Sequence, residues 1–155
     1  FYVTIEVTRY ILITQKVEKL AHSIADVTSQ EQTASAAVLN QALAATSDIM
    51  SPYTMTTNGT VFITSLYRAP NTVDATVNWR YQGGGSLPET SRLGAPGTVP
   101  TVPGGMTFDE RENIVAAEVF FRFSPLISSQ FFGTTTIYRS AFYKPRLGAL
   151  LTPPA

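Results

Sequence analysis

The chain has 155 residues, eleven basic against eleven acidic, with 44% apolar residues, only 14% charged ones and no cysteine. That length supports one domain with a modest core. Zero net charge without a one-signed cluster excludes an electrostatic nucleic-acid footprint and leaves little attraction to an anionic membrane. The missing cysteine excludes disulfide frameworks, zinc knuckles, iron–sulfur sites and thiol nucleophiles.

The first fifty residues read as helical. An apolar start, Phe1 to Ile13, turns amphipathic, and Ile13, Val17, Leu20, Ile24 and Val27 recur at steps of four, three, four and three. That spacing puts them on one stripe of an α-helix running from about Tyr2 to Val27. Thr28 and Glu31 have capping-box spacing, so the helix either breaks near 28–31 or bends there. A second helix is expected over roughly Ser29 to Thr46, with Ala34, Ala37, Val38, Ala42 and Ala45 inward. It ends before Pro52, whose ring pushes the preceding residue out of α geometry.

Phe1 to Ile13 is too short for a membrane span, which needs about twenty apolar residues. Glu6 and Arg9 also interrupt it. It has neither the basic start nor the cleavage site of a signal peptide. Two readings stay open: an ordinary buried helix start, or the tail end of a longer hydrophobic helix cut at Phe1.

Residues 51–155 contain all ten Gly and all ten Pro and read as a β-rich head. Four strands are expected: Thr60 to Arg68, Thr72 to Tyr81, Asn113 to Phe123 and Thr134 to Tyr143. The second alternates, with Val73, Ala75, Val77, Trp79 and Tyr81 on one face, and pairs with the first as a hairpin. The third places Val115, Ala117, Val119, Phe121 and Phe123 in register, with Glu118 and Arg122 opposite. The fold class is therefore α+β, a long N-terminal helix on a four-stranded antiparallel sheet.

Between the second and third strands, residues 82–111 hold seven glycines and four prolines. Loops this long are usually functional or mobile. The expectation is a flexible, solvent-exposed insertion, with a partner-docking loop as the functional alternative. Gly83-Gly84-Gly85 matches no nucleotide fingerprint, since the P-loop lysine and the strand–glycine–helix context are both absent.

Little else suggests chemistry. His22 is the only histidine, and no nucleophile is marked to join it. Asp109, Glu110 and Glu112 cluster before the third strand, but neighbours on a strand approach point to opposite faces. Glu118, inside an apolar run, is expected to pair with Arg122 on its own face or with Arg80 or Arg139 across the sheet. The late aromatics, from Phe120 to Tyr143 and including Phe131 and Phe132, lack interleaved basic residues, so core packing explains them better than base stacking. No catalytic residue, metal site or cofactor is assigned.

Two stretches carry a resemblance. Thr4-Ile-Glu-Val-Thr-Arg-Tyr-Ile-Leu-Ile-Thr-Gln-Lys-Val-Glu-Lys-Leu20, leading into Ile24-Ala-Asp-Val-Thr-Ser-Gln30, resembles the juxtamembrane helix of TadE/TadF-like minor pilins, or pseudopilins, of Tad (Flp) pilus systems. Asn113-Ile-Val-Ala-Ala-Glu-Val-Phe-Phe-Arg-Phe-Ser-Pro-Leu126 resembles their late strand, and Ser140 to Leu147 their close. The motifs are soft patterns of apolar and aromatic type over about a third of the chain.

The resemblance implies a non-enzymatic, pilin-like subunit anchored by its N-terminal helix in a bacterial inner membrane. The head would face the periplasm or sit outside the cell in the pilus, and the partners would be other pilins and pilus assembly proteins. No nucleic acid or small-molecule substrate is implied. The helix-packing interface is then Glu6, Arg9, Ile13, Val17, Leu20, Ile24 and Val27, with Glu6 and Arg9 pairing inside a helix bundle. The rival reading is an extracellular adhesive or ligand-binding module, for glycan, built on Trp79, Tyr81 and the loop. A third is a hydrolase acting through Asp109 or Glu118.

Overall fold

A 28-residue run free of glycine and proline opens the chain as helix α1, Tyr2–Ser29. The computed structural model describes residues 1–126 and 133–155, so Phe131 and Phe132 lie outside the described residues. α2 (Ala36–Ala44), α3 (Thr46–Met50) and α4 (Met55–Asn58) follow. Then come β1 (Gly59–Tyr67), β2 (Thr76–Gly83), β3 (Asn113–Phe123) and β4 (Thr135–Tyr143). The four strands form one antiparallel sheet in the order β2-β1-β3-β4. α1 lies along β3 and β4, so the fold is α+β, a long N-terminal helix on a four-stranded antiparallel sheet.

The helical region is more divided than the pattern of apolar residues suggests. α1 continues through Thr28, and the break falls after Ser29 rather than at a capping box of Thr28 and Glu31. The cap of α2 is Ser35, whose hydroxyl accepts the Val38 N–H at 3.3 Å. α2 buries Leu39, Ala42 and Leu43, while Ala37 and Ala45 are exposed. The large branched side chains won the buried face, because they remove more apolar area from water than alanines do.

The sheet is covered on both sides. Val61, Ile63, Val115, Ala117, Val119 and Phe121 face α1 and its following helices in the main core. Phe62, Leu66, Ile114, Ala116 and Phe120 face the other way, and there residues 82–111 cover them. Leu87, Leu93 and Phe108 of this segment are buried against that outer face. The expected free insertion is therefore in large part a second layer of the fold, although Ala95 to Val99 stay exposed.

The glycine triplet has a packing explanation. A Cβ on Gly85 would lie 2.1 Å from the carbonyl oxygen of Gly59, far inside contact distance. That close approach lets Ser86 and Leu87 donate their backbone N–H groups to Thr56 and Gly59, starting the loop across the head of β1.

The second strand departs from its expected phase. It starts at Thr76, leaving Val73 exposed, and a register shift between Ser65 and Leu66 makes Asn78 an extra residue in β2. A bulge turns the side-chain alternation over. Ala75 and Val77 consequently pack on the outer face with Leu66, while Trp79 and Tyr81 face the helices.

Candidate helix-packing surface

Four of the five stripe residues do what their spacing demands: Ile13, Val17, Leu20 and Ile24 are essentially inaccessible and form the centre of the main core. Val27 does not, being 44% exposed. The reason is geometric. The stripe follows a 3.5-residue repeat, which slips about 20° per heptad around a straight 3.6-residue helix. Two heptads beyond Ile13 the drift takes Val27 off the sheet, and Ala25, Thr28 and Ser29 are buried in its place.

The end of α1 is then fixed by the C-terminal segment. Arg146 donates its backbone N–H to the Ser29 carbonyl at 2.8 Å, and its guanidinium pairs with Asp26 at 2.7 Å. Beyond it, Leu150 is buried in the main core.

Glu6 and Arg9 meet within this chain. Glu6 is 2% exposed, takes a 2.9 Å hydrogen bond from the Arg9 guanidinium, and accepts the backbone N–H of Leu126 at 2.7 Å. Arg9 lies over the Phe123 ring at 5.5 Å, and Tyr10 meets the same ring edge-on. A buried carboxylate is tolerated when it is paired and hydrogen-bonded, and Glu6 is both. The pair therefore ties α1 to the end of β3 and to residues beyond it, instead of waiting for a neighbouring helix.

Around this internal pair the first three turns of α1 are apolar on nearly every side. Val3, Val7, Tyr10 and Ile11 form one exposed flank, and Phe1 and Leu12 lie on the other. A helix that is apolar all round normally ends up surrounded by protein or lipid. Among the described residues, no helix is long and apolar enough to cross a membrane.

The other singled-out residues have structural employment. His22 is exposed, with Nδ1 3.2 Å from the Tyr143 hydroxyl. Trp79 is not available to a ligand: it is 3% exposed and donates its indole N–H to the Leu150 carbonyl at 2.8 Å. Tyr81 is half-buried, its hydroxyl donating to Asn40. Glu110 accepts the Asn71 backbone N–H. Glu112 pairs with Lys144 at the surface. Burial pushes the Glu112 carboxyl up, but the hydrogen bonds from Lys144 and from the Asp109 N–H, with the Lys144 charge, bring it below its usual range.

Glu118 pairs with none of Arg122, Arg80 or Arg139. It is fully buried beneath the loop and accepts from the Ser91 hydroxyl, the Arg92 backbone N–H at 2.9 Å and the Tyr138 hydroxyl at 2.9 Å. The loop brings its own donors, and that is why no cross-strand ion pair forms. The Arg92 guanidinium covers the cluster, 4.1 Å above the Tyr138 ring. Burial, then the Glu118 charge, push the Tyr138 phenol up to about 12. Arg80, two strands away on β2, is lowered by burial, with the Glu118 charge acting in the opposite sense.

Compared with known proteins, the chain matches no family model, no curated protein and no solved structure.

Proposed function

We propose that the chain is a non-enzymatic, minor-pilin-like subunit of the TadE/TadF kind, associated through the apolar start of α1 with a bacterial inner membrane and with a bundle of pilin helices. There it would help to assemble, prime or cap a Tad-type pilus and so support surface adhesion. The observation that carries this reading is the start of α1. Val3, Val7, Tyr10 and Ile11 stand exposed on a helix whose own charged pair, Glu6 and Arg9, is satisfied internally. Such a surface gains free energy by meeting apolar neighbours, at roughly 25 cal/mol for each Å² removed from water. The α+β head adds support, because the rest of α1 is committed to the sheet and only its first turns are left to contact others.

The test places charge on that surface. Val7→Lys combined with Ile11→Lys leaves the head folded, since both positions face solvent. It is expected to abolish incorporation of the subunit into fibres sheared from the native cells, and with it fibre-dependent attachment. Incorporation at the unmodified level would refute the reading.

A further inference from the structure

The sheet order β2-β1-β3-β4 leaves two edges, and the fold treats them differently. On β2 the edge is guarded. Val77 donates its N–H to the Thr98 carbonyl at 2.9 Å and accepts the Gly97 N–H at 2.7 Å, so a passing loop pairs with it. Asn78, the extra residue of the bulge, donates its side-chain amide to the Leu151 carbonyl at 2.7 Å. On β4 nothing comparable occurs: among the described residues, no main-chain group of Thr135–Tyr143 bonds to any backbone except that of β3. A strand without glycine, proline or lysine, rich in threonine and aromatics, thus ends the sheet as an open template.

The charges beside β4 decide what pairs with it. Arg139 is exposed, and its guanidinium turns onto the carbonyl of Tyr138 at 2.7 Å. Arg92 lies 4.1 Å above the Tyr138 ring, and Arg122 stands opposite Thr136 on the outer face of β3. Among the described residues, none of these three arginines is in a salt bridge. The acids beside the strand are fewer. Glu89 accepts from the Thr136 hydroxyl at 3.3 Å, and Glu118 is buried with three donors already in place. Arg139 is also the middle residue of β4, so full antiparallel overlap of two copies would set like charges directly opposite each other, which disfavours self-pairing. We infer that the open edge of β4 takes an extended segment of a partner protein as a fifth strand, with acidic side chains near its middle that face Arg139 on one side of the sheet and Arg92 and Arg122 on the other. Main-chain hydrogen bonds supply the hold, and the carboxylates select the partner. The inference does not rest on the pilin reading, which concerns the start of α1.

The probe is a synthetic peptide as long as β4, built of threonine and valine with a pair of adjacent glutamates at its middle, which point to opposite faces of the added strand. The same peptide with lysines in their place is the control. In excess over the intact chain, the glutamate peptide is expected to slow amide hydrogen exchange saturably across residues 135–143 and to leave residues 76–83 unchanged. Arg139→Glu alters an exposed side chain that holds only a carbonyl of its own strand. It should weaken that protection about fivefold and shift the preference to the lysine peptide. No protection of β4, or equal protection by both peptides, would overturn the inference. Concentration-dependent self-association that protects the same residues would overturn it too, by giving the edge to a second copy. Fibre incorporation reads the α1 surface instead, so the two proposals fail separately.

Discussion

Trp79 donates its indole N–H to the backbone carbonyl of Leu150, a 2.8 Å bond between residues seventy-one positions apart. The same carbonyl accepts the Ser65 hydroxyl, and the Leu150 N–H donates to Asn113, whose own amide donates to Ser65 and to the Leu66 carbonyl. Asn78, the bulged residue, holds the Leu151 carbonyl. A segment without secondary structure is thus bound to the sheet by a closed set of buried polar groups, with Leu150 as its apolar plug.

Such networks are costly to open, since each orphaned buried group retains its desolvation penalty. Leu150→Ala should destabilise the chain by about 3 kcal/mol, and Asn113→Ala by about 2 kcal/mol. Urea denaturation gives both values. Trp79 is the only tryptophan, so its emission should move to longer wavelength in Leu150→Ala before global unfolding. An unmoved emission with full stability would mean that the tail does not cover the indole.

A second polar anchor holds the loop. Glu118 takes three hydrogen bonds, from Ser91, Arg92 and Tyr138. Glu118→Ala leaves three donors without an acceptor and is expected to cost about 3 kcal/mol. Glu118→Gln keeps the shape and one acceptor, so its cost should be smaller. The distinguishing measurement is amide hydrogen exchange over residues 86–93, which should accelerate in Glu118→Ala more than exchange in β1. Uniform acceleration across the sheet would show that Glu118 is not a local anchor.

Alkaline pH should act through Tyr138. Its phenol is pushed from an ordinary 10.0 up to about 12, first by burial and then by the Glu118 charge. The folded state therefore holds this proton more tightly than the unfolded chain does. The resulting contribution to stability is complete below about pH 10 and is lost as pH rises towards about 12. Tyr138→Phe should lose stability at neutral pH but show a weaker decline across that window. Equal slopes in the two proteins would place the alkaline loss elsewhere.

How much of this was legible can be read residue by residue. β3 was visible to its ends, because Val115, Ala117, Val119, Phe121 and Phe123 keep a period of two through an apolar, β-branched and aromatic run. The buried stripe of α1 was visible as far as Ile24, until helix geometry and the 3.5-residue repeat parted company at Val27. The outer layer was hidden. Leu87, Leu93 and Phe108 sit six and fifteen residues apart among glycines and prolines, with no period to reveal that they share a face. The phase of β2 was hidden too, since nothing in Val77-Asn78-Trp79 announces a bulge. The pairing of Glu118 could not be read because two of its three donors come from an aperiodic loop, and the burial of Glu6 could not be read because its second donor, the Leu126 N–H, lies 120 positions away.

The drift of the α1 stripe yields the cleanest comparison. Leu20 and Val27 occupy equivalent steps of one repeat, one heptad apart, so pattern alone assigns them equal weight. Leu20 is 0% exposed and Val27 44% exposed. Leu20→Ala removes a branched side chain from the closed core and should cost about 3 kcal/mol, combining the lost transfer energy with a cavity. Val27→Ala removes little buried area and replaces a β-branched residue with the best helix former, so its effect should stay within about 0.5 kcal/mol. Chemical denaturation of the two variants measures the difference directly. Equal losses would mean that Val27 is covered in the folded chain, and the helix would then have to be supercoiled enough to keep the 3.5-residue stripe facing the sheet.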